Sequence, residues 1–318
     1  MVQIAATYVR GNWYAKMIGM INVVVSCTER KSEPAEPFLC ARELTRLDFD
    51  ARIADWIERL TRKAARLPAR ELYQGEHWAV ARELAKQENV ALWVASAGHG
   101  LISVNQEVAS YQATFAAGHD DSVALSRSQS ECDNQRAKWW AEIQNGKQNR
   151  VTVEFLASQA PVLVAASRPY LAALEGELLT AASARPGKVI LATVGPVPPK
   201  LRQLCSQGSG RLRGVLGGSM QSVNVRLAEA IVKAAGGGDI TLDSATLATK
   251  GLMEKAPPLE RFSRQLLSDE QVSAFIVERL TPEVGPSCSV LHRQLRNEGM
   301  ACEQSRFSRL YKSVNGAT

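Results

Sequence analysis

The chain of 318 residues is long enough for about two domains at ~150 residues each. Its 45% hydrophobic and 22% charged content excludes global disorder, and the net charge of +6 hints at a polyanionic partner only if the cations cluster. Six cysteines (Cys27, Cys40, Cys132, Cys205, Cys288, Cys302) form no CxxC pair and have no histidine at zinc spacing, so reduced thiols and no metal or other cofactor are expected. No apolar run of ~18 residues predicts a membrane span, and the amino terminus lacks the order of a signal peptide, so a cytoplasmic protein without a membrane partner is expected.

In chain order, Met17 to Val25 predicts a central strand. It runs into Ser26-Cys27-Thr28-Glu29-Arg30-Lys31-Ser32, whose hydroxyls, amides and cations suit an anion or base pocket, or else a solvated loop. Arg42 to Leu67 predicts helix, stopped by Pro68. Glu71 to Trp78 predicts a short docking loop leading into a further helix. Val90 to Ala95 predicts a second strand beside the first, joined by a crossover that would bring Lys31, Tyr73 and His99 to one crevice. Its end, Ser96-Ala97-Gly98-His99-Gly100, is the expected floor of a site, because ligands collect at strand ends of α/β sheets. A tight strand-to-helix turn with a locally satisfied histidine is the alternative. Gly118-His119-Asp120-Asp121-Ser122 is the richest acid/base cluster, although Asp-Asp-Ser also suits a helix N-cap.

Residues 126–149 predict a surface helical excursion anchored by Trp139 and Trp140. Beyond it, helix is expected at 151–159, strands at 162–166 and 189–195, and a helix at 170–182. A helix carrying Lys200 and Arg202 then precedes a further strand, Leu212 to Leu216. Gly217-Gly218-Ser219-Met220-Gln221-Ser222 next feeds a helix, a geometry that suits phosphate, although it matches no nucleotide-binding fingerprint. The domain plan is an α/β domain over 1–250, a polar linker over 251–267, and a helical module over 268–318. That module has three short helices and a basic stripe (Arg306, Arg309, Lys312) on the third, as in a helix-turn-helix unit, or forms a plain helical cap.

The order Ser26-Cys27-x-x-x-Lys31, Leu72-Tyr73-x-Gly75, Ser96-Ala97-Gly98-His99-Gly100-Leu101 and Tyr111 resembles small bacterial proteins allied to the peroxide-stress YaaA family and to an accessory domain of archaeosine tRNA-guanine transglycosylases. The resemblance spans about residues 17–125. It implies a three-layer α/β sandwich with a mainly parallel central sheet, similar to uracil-DNA glycosylases. With its carboxy-terminal helical module, the chain also resembles anti-phage DNA glycosylases that excise glucosylated hydroxymethylcytosine. Neither the Gly-Gln-Asp-Pro-Tyr loop nor the His-Pro-Ser loop of the uracil enzymes is present, so their acid/base residues do not transfer.

The expectation is therefore a DNA glycosylase acting on a modified base in double-stranded phage DNA. Asp120 or Asp121 is the candidate carboxylate and His99 the donor to the leaving base, with Lys31 assisting departure or forming a Schiff base. Ser26, Cys27, Tyr73, Gly75, Ser96, Gly98, Gly100 and Tyr111 are the candidate pocket. Lys200, Arg213, Ser219, Gln221, Asn224, Arg293, Arg296, Arg306, Arg309 and Lys312 are candidate DNA contacts. A non-catalytic reader of a DNA lesion or tRNA and a hydrolase of free nucleosides are the competing classes.

Overall fold

The computed structural model describes residues 20–147, 150–258, 264–280 and 286–315, in two compact units, 1–258 and 259–318. In the first unit β1 (Ile21–Ser26), β3 (Val90–Ser96), β6 (Val162–Ala165), β7 (Val189–Thr193) and β8 (Cys205–Gln207) are parallel. β4 (Gly100–Ser103) pairs antiparallel with β3, giving the sheet order β4-β3-β1-β6-β7-β8. The central strands are runs of Val, Ile, Leu and Ala because their side chains are buried on both faces, as in Val23, Val24 and Val25 of β1. Two short strands, β2 (Arg66–Pro68) and β5 (Glu107–Ala109), pair separately.

The helices fall into two packed groups. In one, α1 (Phe49–Thr61) lies on α4 (Gln129–Asn145), which lies on α6 (Arg168–Ala184), with α5 (Val153–Gln159) against α6. In the other, α3 (Glu76–Leu84) packs on α8 (Val223–Ala235), and α8 on α9 (Leu242–Lys255). A single-turn helix α2 (Ala69–Leu72) precedes α3, and another, α7 (Arg213–Leu216), precedes the Gly217-Gly218 loop.

Several expectations are corrected. The first strand is Ile21–Ser26, residues 17–19 lying outside the described residues. The turn after β3 closes a hairpin onto β4 and leads into no helix. Residues 126–147 are no surface excursion. Trp139 and Trp140 are buried, and the Trp139 indole donates to the Ala97 carbonyl at 2.8 Å; residues 148–149 lie outside the described ones. Leu212–Leu216 forms one helical turn instead of a strand, since Leu212, Val215 and Leu216 are spaced i, i+3, i+4 and Cys205–Gln207 already takes that edge of the sheet. The expected linker, 251–267, begins inside helix α9, which ends at Lys255. Thr241 and Ser244 cap that helix reciprocally, and Ser206 Oγ on β8 donates to the Ala245 carbonyl, so the first unit reaches residue 258.

The second unit holds β9 (Gln265–Leu266) paired parallel with β10 (Met300–Ala301), and α10 (Asp269–Arg279), α11 (Cys288–Asn297) and α12 (Gln304–Asn315). Val272, Phe275, Ile276, Leu291, Leu295 and Phe307 make its own core.

Candidate functional site

The parallel strands, taken by their order in the chain, run second-first-third-fourth-fifth across the sheet. The chain therefore reverses direction between β1 and β6, and the carboxyl ends of those strands open the crevice where ligands bind in this topology. A cleft of about 730 Å³ lies there. One wall is the loop after β1 (Ser26, Cys27, Thr28, Glu29, Arg30, Lys31); the facing wall is Ser167 and Tyr170, just after β6. Gly75 and His77 at the start of α3, Gln112 and Thr114 after β5, and Ser219, Gln221 and Asn224 of the glycine loop complete it.

Lys31 is the half-buried cation of the cleft, Arg30 beside it being exposed. Its Nζ donates to the carbonyls of Thr28 (3.3 Å) and Glu29 (3.1 Å) and stands 4.3 Å from the Tyr111 ring centroid. Burial lowers its pKa, and the neighbouring Cys27 and Glu29 offset this only in part. Cys27 Sγ lies 3.1 Å from the Tyr170 hydroxyl. Glu29 is exposed at the rim, its carboxylate 3.2 Å from His119 Nε2.

Beneath this wall Tyr73, Ser96 and Tyr111 form a buried hydroxyl cluster. Tyr73 OH donates to Ser96 Oγ (3.2 Å), Ser96 Oγ donates to Tyr111 OH (2.8 Å), and the His99 amide donates to Ser96 Oγ (3.0 Å). Burial raises the pKa of both phenols, so they stay neutral. Gly98 is obligatory because a Cβ there would sit 2.4 Å from the Tyr111 ring; Gly100 has φ +69° and faces the Gln144 amide. Tyr73, Ser96, Gly98, Gly100 and Tyr111 thus support the cleft from below and do not line it.

His99 is corrected in the same way. Its Nε2 meets the Ala109 carbonyl at 2.9 Å, its ring packs edge-on to Tyr111, and burial pushes its pKa down to about 4. It is a neutral core histidine outside the cleft lining. Asp121 is 1% exposed and clamped by the guanidinium and backbone amide of Arg42, lining only a small recess beside the cleft with His119 and Tyr170. Asp120 is exposed and outside the lining of either. A carboxylate held by a fork of donors is a poor base, so Asp121 is not free to serve as one, and Asp120 does not face the cleft.

The phosphate seat is also corrected. Gly217 and Gly218 have positive φ, yet the Ser219 amide, the Ser222 hydroxyl and the Arg226 guanidinium (2.9 Å) all hold the Glu76 carboxylate. These bonds keep the carboxyl pKa of Glu76 low. Next to it, buried His77 places Nε2 3.1 Å from the Ser26 carbonyl, joining α3 to the end of β1. Glu76 and His77 therefore fix two cleft walls together. Asn224 Oδ1 accepts from the Val194 amide (2.9 Å). Lys200 is exposed and 3.5 Å from Glu175, and Arg213 donates to the Gly218 carbonyl (3.0 Å), so both lie apart from the cleft. In the second unit Arg306 is engaged by Asp269, whereas Arg293, Arg296 and Lys312 are exposed with no side-chain partner among the described residues.

Tyr170, Thr114, His77 and Glu76 had no signal in their local sequence; the one route to Tyr170 was to place β6 beside β1 and inspect the residues after β6. Among the described residues no group of three or more His, Cys, Asp or Glu is arranged to hold a metal ion, all six cysteines are unpaired, and no helix is long and apolar enough to cross a membrane.

The model of a family of unknown function, DUF6884, matches residues 60–186. That stretch carries the hairpin turn, the hydroxyl cluster and Tyr170, but neither Lys31 nor the glycine loop. No curated protein and no solved structure matches the chain.

Proposed function

We propose that this protein is a DNA glycosylase that removes a modified base, glucosylated hydroxymethylcytosine in phage DNA being the first candidate, and leaves an abasic site. The reading includes a three-layer, uracil-DNA-glycosylase-like arrangement for the first unit, a helix-turn-helix-like second unit that holds the duplex, and a cytoplasmic role in defence. The observation that carries it is Lys31, an ammonium made more acidic by burial, which lines a polar cleft at the sheet's switch point within one loop of an exposed carboxylate.

A flipped nucleotide enters the cleft. Glu29, oriented by His119, takes a proton from a water that attacks C1′, so a C1′–O bond forms as the C1′–N bond breaks. The base leaves with the bonding electron pair and receives a proton from Lys31, which gives up its bonds to the two loop carbonyls as it does so. Solvent then returns the proton from Glu29 to Lys31. Ser26, Gln112, Thr114, Ser167 and Asn224 offer neutral hydrogen-bonding groups to the base and its substituent.

The test is incubation of the protein with unmodified, hydroxymethylated and glucosylated phage DNA, followed by alkaline cleavage and mass spectrometry. Free modified base and alkali-labile sites from one substrate are expected. Release of base from none of the three overturns the proposal.

A further inference from the structure

Resting on the reading that the chain acts on duplex DNA, we infer that α11 is the helix that enters the major groove, in place of the basic α12 to which sequence alone points. α11 divides sharply. Leu291 and Leu295 are buried and Cys288 and His292 half-buried, while Ser289, Val290, Arg293, Gln294, Arg296 and Asn297 are exposed on an arc of roughly 160° at ~100° per residue.

Every side chain on that arc has a partner on a base edge. Arginine pairs with guanine O6 and N7, asparagine and glutamine with adenine N6 and N7, serine with either, and a valine methyl suits the thymine methyl. No Asp or Glu occurs in the helix, and the Ser287 side chain makes no capping bond at its N-terminus, where the dipole is positive.

α12 carries three cations but surrounds its first half with acid. Glu303 accepts from the Ser305 and Arg306 amides at its N-terminus, Arg306 is tied to Asp269 at 2.5 Å, and Arg309 lies 4.0 Å from the same carboxylate. A phosphate approaching there meets two carboxylates already using the local donors. Lys312 remains exposed and serves as a flanking backbone contact.

The experiment compares full-length variants in duplex binding by fluorescence anisotropy across a salt series. Arg293→Ala with Arg296→Ala is expected to weaken binding to a preferred duplex more than to a random one, by about 5–150-fold per arginine removed from a guanine edge. Arg309→Ala with Lys312→Ala is expected to weaken both duplexes alike and to reduce the slope of log affinity against log salt by at most about 1. Gln294→Ala with Asn297→Ala is expected to leave the slope unchanged while narrowing the affinity gap between a preferred and a random duplex. Circular dichroism checks that each variant is folded, and if the double arginine variant is not, Arg293→Lys with Arg296→Gln replaces it.

A narrowed affinity gap between preferred and random duplex from the α12 pair, with none from the α11 pair, overturns the inference. So does a wild-type protein that releases base from single strands but does not bind duplex, an outcome that leaves the glycosylase reading standing. Duplex binding through α11 without base release from any substrate does the reverse.

Discussion

Lys31 and His99 illustrate how burial assigns opposite roles to two titratable side chains of one sheet edge. In the proposed mechanism Lys31 acts as an acid only while protonated, so the excision rate should fall as pH rises through its lowered pKa, below the 10.5 of a free lysine. Single-turnover rates against pH should show that alkaline limb in the wild type and lose it in Lys31→Arg, whose guanidinium does not titrate. Lys31→Met should cost about 10²–10⁴-fold in rate. For His99, the neutral fold and the protonatable unfolded chain differ in bound protons between about 4 and 6.5. The unfolded state binds more protons there, so stability is full above 6.5 and falls on acidification, by on the order of 3 kcal/mol for this residue. Buried His77, its pKa also lowered, adds in the same direction. Urea midpoints at pH 7 and pH 5 should therefore differ in the wild type and differ less in His99→Gln.

At the level of elements, the hairpin joining β3 and β4 is held from outside by two indoles. Trp56 donates to the Gly98 carbonyl at 2.9 Å and Trp139 to that of Ala97 at 2.8 Å. Trp139→Phe keeps most of the ring volume but leaves a buried carbonyl unpaired, a loss of about 1–3 kcal/mol by denaturant titration. Gly98→Ala drives a methyl into Tyr111 and should cost a similar 1–3 kcal/mol, on the order expected of overpacking. The glycine loop is governed differently. Glu76 is 42% exposed, so Glu76→Ala should lower global stability by less than about 1 kcal/mol. The local effect should be larger, with the Ser219 amide exchanging with solvent faster once its acceptor is gone.

On the scale of the whole molecule, the two units have separate cores, one around the six-stranded sheet and one around Val272, Ile276, Leu291 and Phe307. A chain ending at residue 258 should still unfold cooperatively in urea, since it keeps the whole core around the sheet. The strands β1, β3, β6 and β7 were legible because buried parallel strands must be continuous apolar runs, and the helices of the second unit because Ser268 with Gln271 and the glycine at 299 mark their ends. Leu212–Leu216 and the start of the linker, 251–255, were misread where an apolar run or a polar stretch is judged without its neighbours. For the site, the sequence by itself located the loop after β1, with Lys31 and Cys27, and the glycine loop with Ser219, since strand ends and glycines are local signals. Only the tertiary structure decided which polar residues face the cleft. Arg42, 79 positions from Asp121, neutralises that carboxylate, and Glu76, 143 positions from Ser219, fills the seat a phosphate would have taken. Whether an ionisable group is free or already paired depends on partners that only folding brings within hydrogen-bond distance.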